Sequence, residues 1–297
     1  MKVLLTGSSG RIGRAIYAAL IERHEVVGLD RYPFSTTRLV GDFTDGPLLR
    51  RALDGVDAVI HTAALHAPHV GVVDEAAFAR VNVDGVGALV AAMGEAGVAT
   101  LVYTSTTALY GDAVVAGACA WIDEDTAPRP RTVYHRSKLE AERLLETAAG
   151  PRLAVRVIRM SRCFPEPADR MAVYRLHRGI DARDVGDAHA AALGAAGPSF
   201  QRYIASGRTP FVPADAERLA RDPRGLLAER CPDLVEAFRR RGWTLPATID
   251  RVYDAGAAER ALGWRSRHGF GDVLARHDAR DLEVLPLSPW FRNRSTE

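Results

Sequence analysis

The sequence predicts an α/β fold, a doubly wound parallel sheet with a smaller mixed region appended to it. Three observations carry that expectation. Short apolar runs alternate with amphipathic helical patterns up to about residue 160. A glycine-rich turn joins the first apolar run to the first helical pattern. Acidic and hydroxyl residues recur where the apolar runs end, and open α/β sheets bind ligands beyond the carboxyl ends of their strands.

The elements follow in order. "KVLLTG" (2–7) is a compact apolar run closed by glycine, and "RIGRAIYAALIER" (11–23) repeats Ile12, Ile16 and Leu20 at helical spacing. "EVVGLD" (25–30) is a second strand, "GPLLRRALDG" (46–55) a helix and "DAVIHTAA" (57–64) another buried strand. "EAAFARVNVDGVGALVAAMGEAG" (75–97) reads as one long helix, and "TLVYTST" (100–106) as a strand whose end turns polar. "RSKLEAERLLETAA" (136–149) is a helix and "LAVRVIRM" (153–160) a strand. After residue 160 the pattern loosens, although "GIDARDVGDAHAAAL" (179–193) reads as a short strand and helix returning to the sheet. Residues 1–160 with 179–195 therefore form the expected nucleotide-binding Rossmann-type domain, and 161–178 with 196–297 the smaller substrate-binding region. The tail 289–297 is expected to be mobile.

Composition excludes several function classes. Of 297 residues 47% are apolar and 26% charged, and 39 Lys plus Arg against 37 Asp plus Glu leave a net charge of +2. Such a balance points to no polyanion, so no nucleic-acid partner is expected, and Arg239-Arg240-Arg241 reads as a solvated helix face. Cys119, Cys163 and Cys231 are an odd number without metal-ligand spacing, which argues for free thiols in a reducing compartment and for no metal site. No apolar stretch approaches the ~20 residues of a membrane span, and "MKVLLTG" lacks a leader's cleavage pattern. The expectation is a soluble, cytoplasmic protein without membrane contact.

In "TGSSGRIG", Gly7, Gly10 and Gly13 stand at the strand–helix junction, with Arg11 and Ile12 between them. Glycines there allow a tight turn and let the backbone approach a pyrophosphate at the helix amino terminus. Asp30 closes the second strand about 20 residues on, as expected for a carboxylate gripping the adenosine ribose. A carboxylate repels a 2′-phosphate, which favours NAD, while Arg11 and Arg31 leave NADP open. Asp42 in "VGDFTD", with Phe43 beside it, is a second strand-end acid placed to cap the adenine.

"YHRSK" supplies Tyr134 and Lys138 one helical turn apart. Read alone, the pair is two polar side chains on the wet face of a helix. Tyrosine, with a pKa of about 10, is a poor base near neutrality unless a cation stabilises its phenolate, and a lysine at i+4 is placed to do so. A hydroxyl at the end of "LVYTST" is suitably placed to polarise a carbonyl.

"TGSSGRIG", "GDFTD", "HTAA", "VNVDG", "YTSTTALYG" and "YHRSK" together resemble, in order and spacing over residues 1–190, the extended short-chain dehydrogenase/reductase family of NAD-dependent nucleotide-sugar epimerases, dehydratases and related dehydrogenases. The resemblance implies that Tyr134 is the general acid/base. Lys138 lowers its pKa and binds the nicotinamide ribose, and Thr106 bridges Tyr134 and the substrate oxygen, with Ser105 beside it meeting substrate. Ala63, Ala64 and Thr104 line the cofactor, and Asn82 orders the neighbouring helix. It also implies a homodimer that pairs helices 75–97 and 134–149 across a two-fold axis. Of the histidines, His61 reads as a satisfied strand residue, while His66 and His69 lie on the loop beyond it, with His66 a candidate substrate contact.

Substrate choice belongs to the appended region, where nucleotide-sugar enzymes usually carry an asparagine that this chain lacks. "CFPEPADR" instead resembles a segment of uronate dehydrogenases in which an arginine binds the sugar carboxylate, making Arg170 or Arg162 the candidate, with a surface ion pair as the alternative. Three functions are expected in this order. The first is oxidation of a secondary alcohol in a sugar or nucleotide sugar, followed by epimerisation or dehydration. A net dehydrogenase of a free sugar or sugar acid is second, and a non-catalytic dinucleotide-binding regulator third.

Overall fold

The computed structural model describes residues 1–287, so the tail 289–297 lies outside the described residues. In chain order the strands are β1 (Lys2–Thr6), β2 (Glu25–Asp30), β3 (Leu39–Val40), β4 (Ala58–His61), β5 (Thr100–Thr106), β6 (Ala120–Ile122), β7 (Ala154–Met160), β8 (Phe200–Ala205) and β9 (Arg251–Tyr253). Seven of them form one parallel sheet in the order β3-β2-β1-β4-β5-β7-β8. The chain winds outward in both directions from β1, and the crevice where the order reverses lies beyond the ends of β1 and β4.

Side chains alternate between the two faces of a strand, so each strand feeds two cores. On one face Leu4, Val59, Leu101 and Tyr103 pack against Leu49, Leu89, Met93, Ala141 and Leu145 of helices Gly46–Ala52, Gly85–Ala96 and Val133–Ala148. On the other, Val3, Leu5, Ile60 and Val102 meet Ile16, Leu20, Val185 and Ala188 of helices Arg11–Leu20 and Ala182–Leu193. Each fully buried aliphatic chain stabilises the fold by about 1.5–3 kcal/mol. These two helices touch through Gly186, where a Cβ would stand 2.5 Å from the Ala15 carbonyl oxygen.

A third core holds the smaller region. Helices Ala168–Tyr174, Ala216–Arg221, Pro223–Arg230, Pro232–Arg241 and Phe270–Asp278 close over Met171, Leu219, Leu227, Phe238 and Leu274. β6 and β9 pair in parallel beside it and bring residues 120–122 against 251–253.

The structure differs from the sequence reading in three places. Phe200–Ala205, expected in the smaller region, is the seventh strand of the main sheet; its "FQRYIA" gives no strong apolar alternation because only Tyr203, Ile204 and Ala205 are buried. The short strand expected before helix Ala182–Leu193 is a single bridge between Arg162 and Gly179. The long helix 75–97 is interrupted by a π-turn at Arg80–Asp84. Asn82 in that turn receives the Leu65 N–H at 2.8 Å and donates to the Leu65 carbonyl at 2.8 Å and to Ser137 Oγ at 3.0 Å. Widening the turn aims the side chain at the loop after β4, the kind of displacement for which π-bulges are used near functional sites. The stretch Glu75–Ala96 is long and apolar enough by composition to cross a membrane, and here it packs on the sheet through Val86, Leu89 and Met93. The three cysteines are buried and free.

Candidate functional site

A cleft of about 1340 Å³ opens at the carboxyl ends of β1, β2, β4, β5 and β7. Its floor is the glycine loop. Gly7 takes φ 77°, and a Cβ there would stand 2.7 Å from both the Ala63 nitrogen and the Thr62 hydroxyl, so this crossing of two loops needs glycine. A Cβ on Gly13 would collide with the Gly7 carbonyl oxygen. Gly10 is the N-cap of helix Arg11–Leu20 and offers no side chain, which leaves the first-turn N–H groups without a side-chain cap. Bare donors at a helix amino terminus with room for close approach fit a pyrophosphate. Gly13→Ala is expected to lower dinucleotide affinity sharply and to cost about 1–3 kcal/mol of stability through overpacking. Calorimetric titration with NAD alongside thermal unfolding checks both effects.

Asp30 stands at the end of β2, where its two carboxylate oxygens accept the N–H groups of Ser9 and Tyr32, each at 3.0 Å. Four lone-pair positions on a carboxylate leave room for a ribose diol as well. Arg31 faces Asp42 at 3.8 Å, and Asp42 also accepts the Thr44 N–H and hydroxyl at 3.0 and 2.8 Å. Phe43 is buried with its ring edge-on to His61 at 4.8 Å. Ile12, Ala63 and Ala64 line the cleft as expected. Tyr32 and Phe34, which the sequence reading passes over, form an exposed aromatic lip beside Asp30.

Arg11, Thr104 and Ser105 line the cleft and are also bonded within the protein. Arg11 turns away from the glycine loop, with its Nε 2.8 Å from the Cys163 carbonyl and its guanidinium paired with Glu283. The Thr104 hydroxyl bonds His189 Nε2 at 2.8 Å, under the opposite face of the sheet. Ser105 is buried and donates to Glu142 at 2.5 Å. Strand alternation is the reason for the last two, since neighbouring side chains on β5 face opposite helices.

Thr106 at the tip of β5 and Tyr134 line the same cleft. Tyr134 opens helix Val133–Ala148, whose N-cap Thr132 receives the His135 N–H at 3.3 Å. Burial of the phenol pushes its pKa up to about 12, and the Thr106 hydroxyl acts in the opposite direction. Lys138 lies one turn further along, 3% exposed, and burial brings its pKa down to about 7 against the partly offsetting charge of Glu142. Its ammonium does not bond Tyr134 in this structure. It donates to the hydroxyl of Tyr103 at 2.9 Å, a partner that the sequence reading missed. The chain holds two lysines, Lys2 and Lys138, and uses arginine at every other basic position except histidine. That rarity marks Lys138 more sharply than the spacing to Tyr134 does.

The other half of the cleft is basic and aromatic. His66 stacks on Phe164 at 6.4 Å, and the Arg162 guanidinium lies 5.8 Å from the same ring while pairing with Glu166 at 2.6 Å. Arg170 lines the same wall, and its guanidinium makes no ion pair among the described residues. Arg178 and Arg251 both engage Asp250, at 3.5 and 2.6 Å. Neither arginine carries a local signal in the sequence, because Arg251 reaches the cleft through the pairing of β6 with β9 and Arg178 through the turn before helix Ala182–Leu193, where its carbonyl accepts the Arg162 N–H at 3.1 Å. His69 receives the His66 N–H at 3.0 Å and holds that loop.

Comparison with known proteins adds to this geometry. The model of a family described as the NAD dependent epimerase/dehydratase family matches residues 3–170. A 3-beta-hydroxysteroid dehydrogenase of Mycolicibacterium neoaurum is 33% identical over 158 residues, 48% of this chain and 42% of that protein. An N-acetyl-alpha-D-glucosaminyl-diphospho-ditrans,octacis-undecaprenol 4-epimerase of Escherichia coli O157:H7 is 32% identical over 186 residues, 60% of this chain and 53% of that protein. The match thus spans about half the length of these curated relatives. Among solved structures, a short-chain dehydrogenase/reductase superfamily protein of Agrobacterium tumefaciens with bound NAD superposes with a TM-score of 0.72 at 20% identity, covering 94% of this chain and 96% of that one. A UDP-glucose-4-epimerase of Stenotrophomonas maltophila with bound NAD and formylated UDP-arabinopyranose gives 0.68 at 23% identity, covering 94% and 99%. At these identities the superpositions show the shared fold.

Proposed function

The chain belongs to the NAD-dependent epimerase/dehydratase family, and from that premise we propose an NAD-dependent oxidoreductase that works at a secondary alcohol of an anionic sugar, with a nucleotide sugar as the first choice of substrate. One observation carries the reading: Thr106, Tyr134 and Lys138 converge in the same cleft as a glycine cradle that only a bare backbone fits.

Gly7, Gly10 and Gly13 hold the pyrophosphate of NAD, Asp30 its adenosine ribose and Lys138 its nicotinamide ribose. When bound, NAD supplies the hydride acceptor. Tyr134 takes the carbinol proton at its phenolic oxygen, and Thr106 orients the substrate oxygen towards it. Stabilising that phenolate calls for a cation, and Lys138 is the lysine on the same helix face one turn away. The basic half of the cleft supports an anionic substrate over a sterol, since Arg162, Arg170, Arg178 and Arg251 would leave a hydrocarbon skeleton facing guanidinium groups.

A net dehydrogenase of a sugar acid is the second reading. It is favoured by Arg170, because a lone guanidinium matches a single carboxylate in a bidentate pair. Turnover of nucleotide sugars and of uronates, followed by NADH absorbance and by mass spectrometry of the purified protein, separates the two. Retained NAD and product without net NADH supports the epimerase or dehydratase; NADH formed in step with product overturns it in favour of the dehydrogenase. Failure of every sugar with NAD still binding would favour the non-catalytic regulator. The homodimer, through helices 75–97 and 134–149, and a cytoplasmic location belong to the same proposal; a monomer mass by light scattering would sink the dimer.

A further inference from the structure

The geometry points to Tyr103 as the positioning residue of Lys138: its buried phenol holds the lysine ammonium in place beneath the dinucleotide site. The inference rests on the reading that Lys138 serves the nicotinamide ribose, and it adds a residue on which that reading depends.

Tyr103 is fully buried on β5, on the face that packs against helix Val133–Ala148. Its hydroxyl oxygen accepts from Lys138 Nζ at 2.9 Å, and the same nitrogen lies 4.2 Å from the centre of the ring. One side chain therefore offers the ammonium both a lone pair and a negative ring face. A buried ammonium with no acceptor is costly, and the next carboxylate on the helix, Glu142, is committed to Arg159 at 2.5 Å and to Ser105 at 2.5 Å. The ring itself is held rigidly. It stacks on His61 with centroids 5.8 Å apart and planes 8° from parallel, and His61 bonds Thr6 at 2.7 Å, one residue before Gly7. The lysine anchor and the glycine cradle are thus tied through one chain of contacts.

The titratable groups facing Lys138 are Tyr103 from β5, His61 at the end of β4, His66 on the following loop, and Tyr134 and Glu142 on its own helix, with Arg159 of β7 behind Glu142. Burial keeps His61 neutral, with a pKa near about 3, and pushes the Tyr103 phenol well above its ordinary value. Arginine would not serve in place of Lys138, since its fork cannot give up its proton and would not fit a single acceptor.

Because Lys2 and Lys138 are the two lysines of the chain, protein labelled with carbon-13 at the lysine ε position shows two titrating signals. In the wild type the Lys138 signal should titrate far below that of Lys2 and move when NAD is added. Tyr103→Phe keeps the ring but removes the acceptor. It should lower the Lys138 midpoint by about one pH unit, a tenfold change in its protonation equilibrium from one lost hydrogen bond to a charged group, and leave Lys2 where it was. An unchanged Lys138 midpoint in a folded variant overturns the proposal. If NAD leaves the Lys138 signal of the wild type unmoved, the dinucleotide reading fails, whatever Tyr103→Phe does. Should the variant not fold, a nuclear Overhauser contact between the Lys138 ε protons and the Tyr103 ring in the wild type is the expected result, and its absence sinks the idea.

Discussion

Tyr134→Phe should lower kcat by about a thousandfold, within the 10²–10⁴ that general acid–base catalysis contributes, and should leave NAD affinity and thermal stability close to those of the wild type. The substitution keeps the ring and removes the phenolic oxygen. Thr106 would still receive the Ala108 N–H at 3.1 Å, so the end of β5 keeps its shape. The pH dependence gives a second check. Without ligand the phenol stays protonated up to about 12, so a rate that needs the phenolate climbs as pH rises. Lys138 opposes that climb, because its ammonium is lost as pH rises through about 7. In Tyr134→Phe the rising limb should vanish. A variant with wild-type kcat and an unaltered profile would remove Tyr134 from the chemistry.

Arg159→Leu should cost about 3–5 kcal/mol, the penalty for leaving a buried charge without its partner. Arg159 and Glu142 are 3% and 1% exposed, and the guanidinium contacts the carboxylate through Nη2 at 2.5 Å and Nε at 3.1 Å. The same arginine also donates to the Tyr110 hydroxyl at 2.6 Å. Removing it strands Glu142 beside Ser105, with only the more exposed Arg202 at 3.7 Å. For a chain of this size the loss corresponds to a fall in Tm on the order of 10 °C. Replacing both partners, Arg159→Leu with Glu142→Leu, should recover most of that loss, because a buried pair exchanged for hydrocarbon is often neutral. Calorimetry on the single and double variants decides the matter. A double variant as unstable as the single one would mean that the lost packing, and not the stranded charge, sets the cost.

Much of the molecule follows from local sequence. The parallel sheet is legible because each buried strand is a continuous apolar run, and the glycine loop because Gly7 and Gly13 stand where a Cβ cannot. Tyr134 and Lys138 are legible as a pair because helical spacing puts them on one side. What that side faces is another matter. Ser105 and Thr106 are adjacent hydroxyls in the sequence, yet one is buried against Glu142 and the other accepts the Ala108 N–H in the cleft, and strand parity alone separates them. Arg11 has the position of a cofactor contact, but its side chain is long enough to reach Cys163 and Glu283, more than 150 residues away, and no local pattern encodes that choice. β8 escapes notice because half of it is not buried, and Arg251 because the three-residue pairing of β6 with β9 places it. The sequence by itself determined the fold class, the glycine cradle and the spacing of the tyrosine and lysine, since these depend on contacts within a few residues of the chain. Only the tertiary structure decided that Lys138 rests on Tyr103 and which arginines line the cleft, because those contacts join distant segments whose approach depends on how the whole sheet and its third core pack.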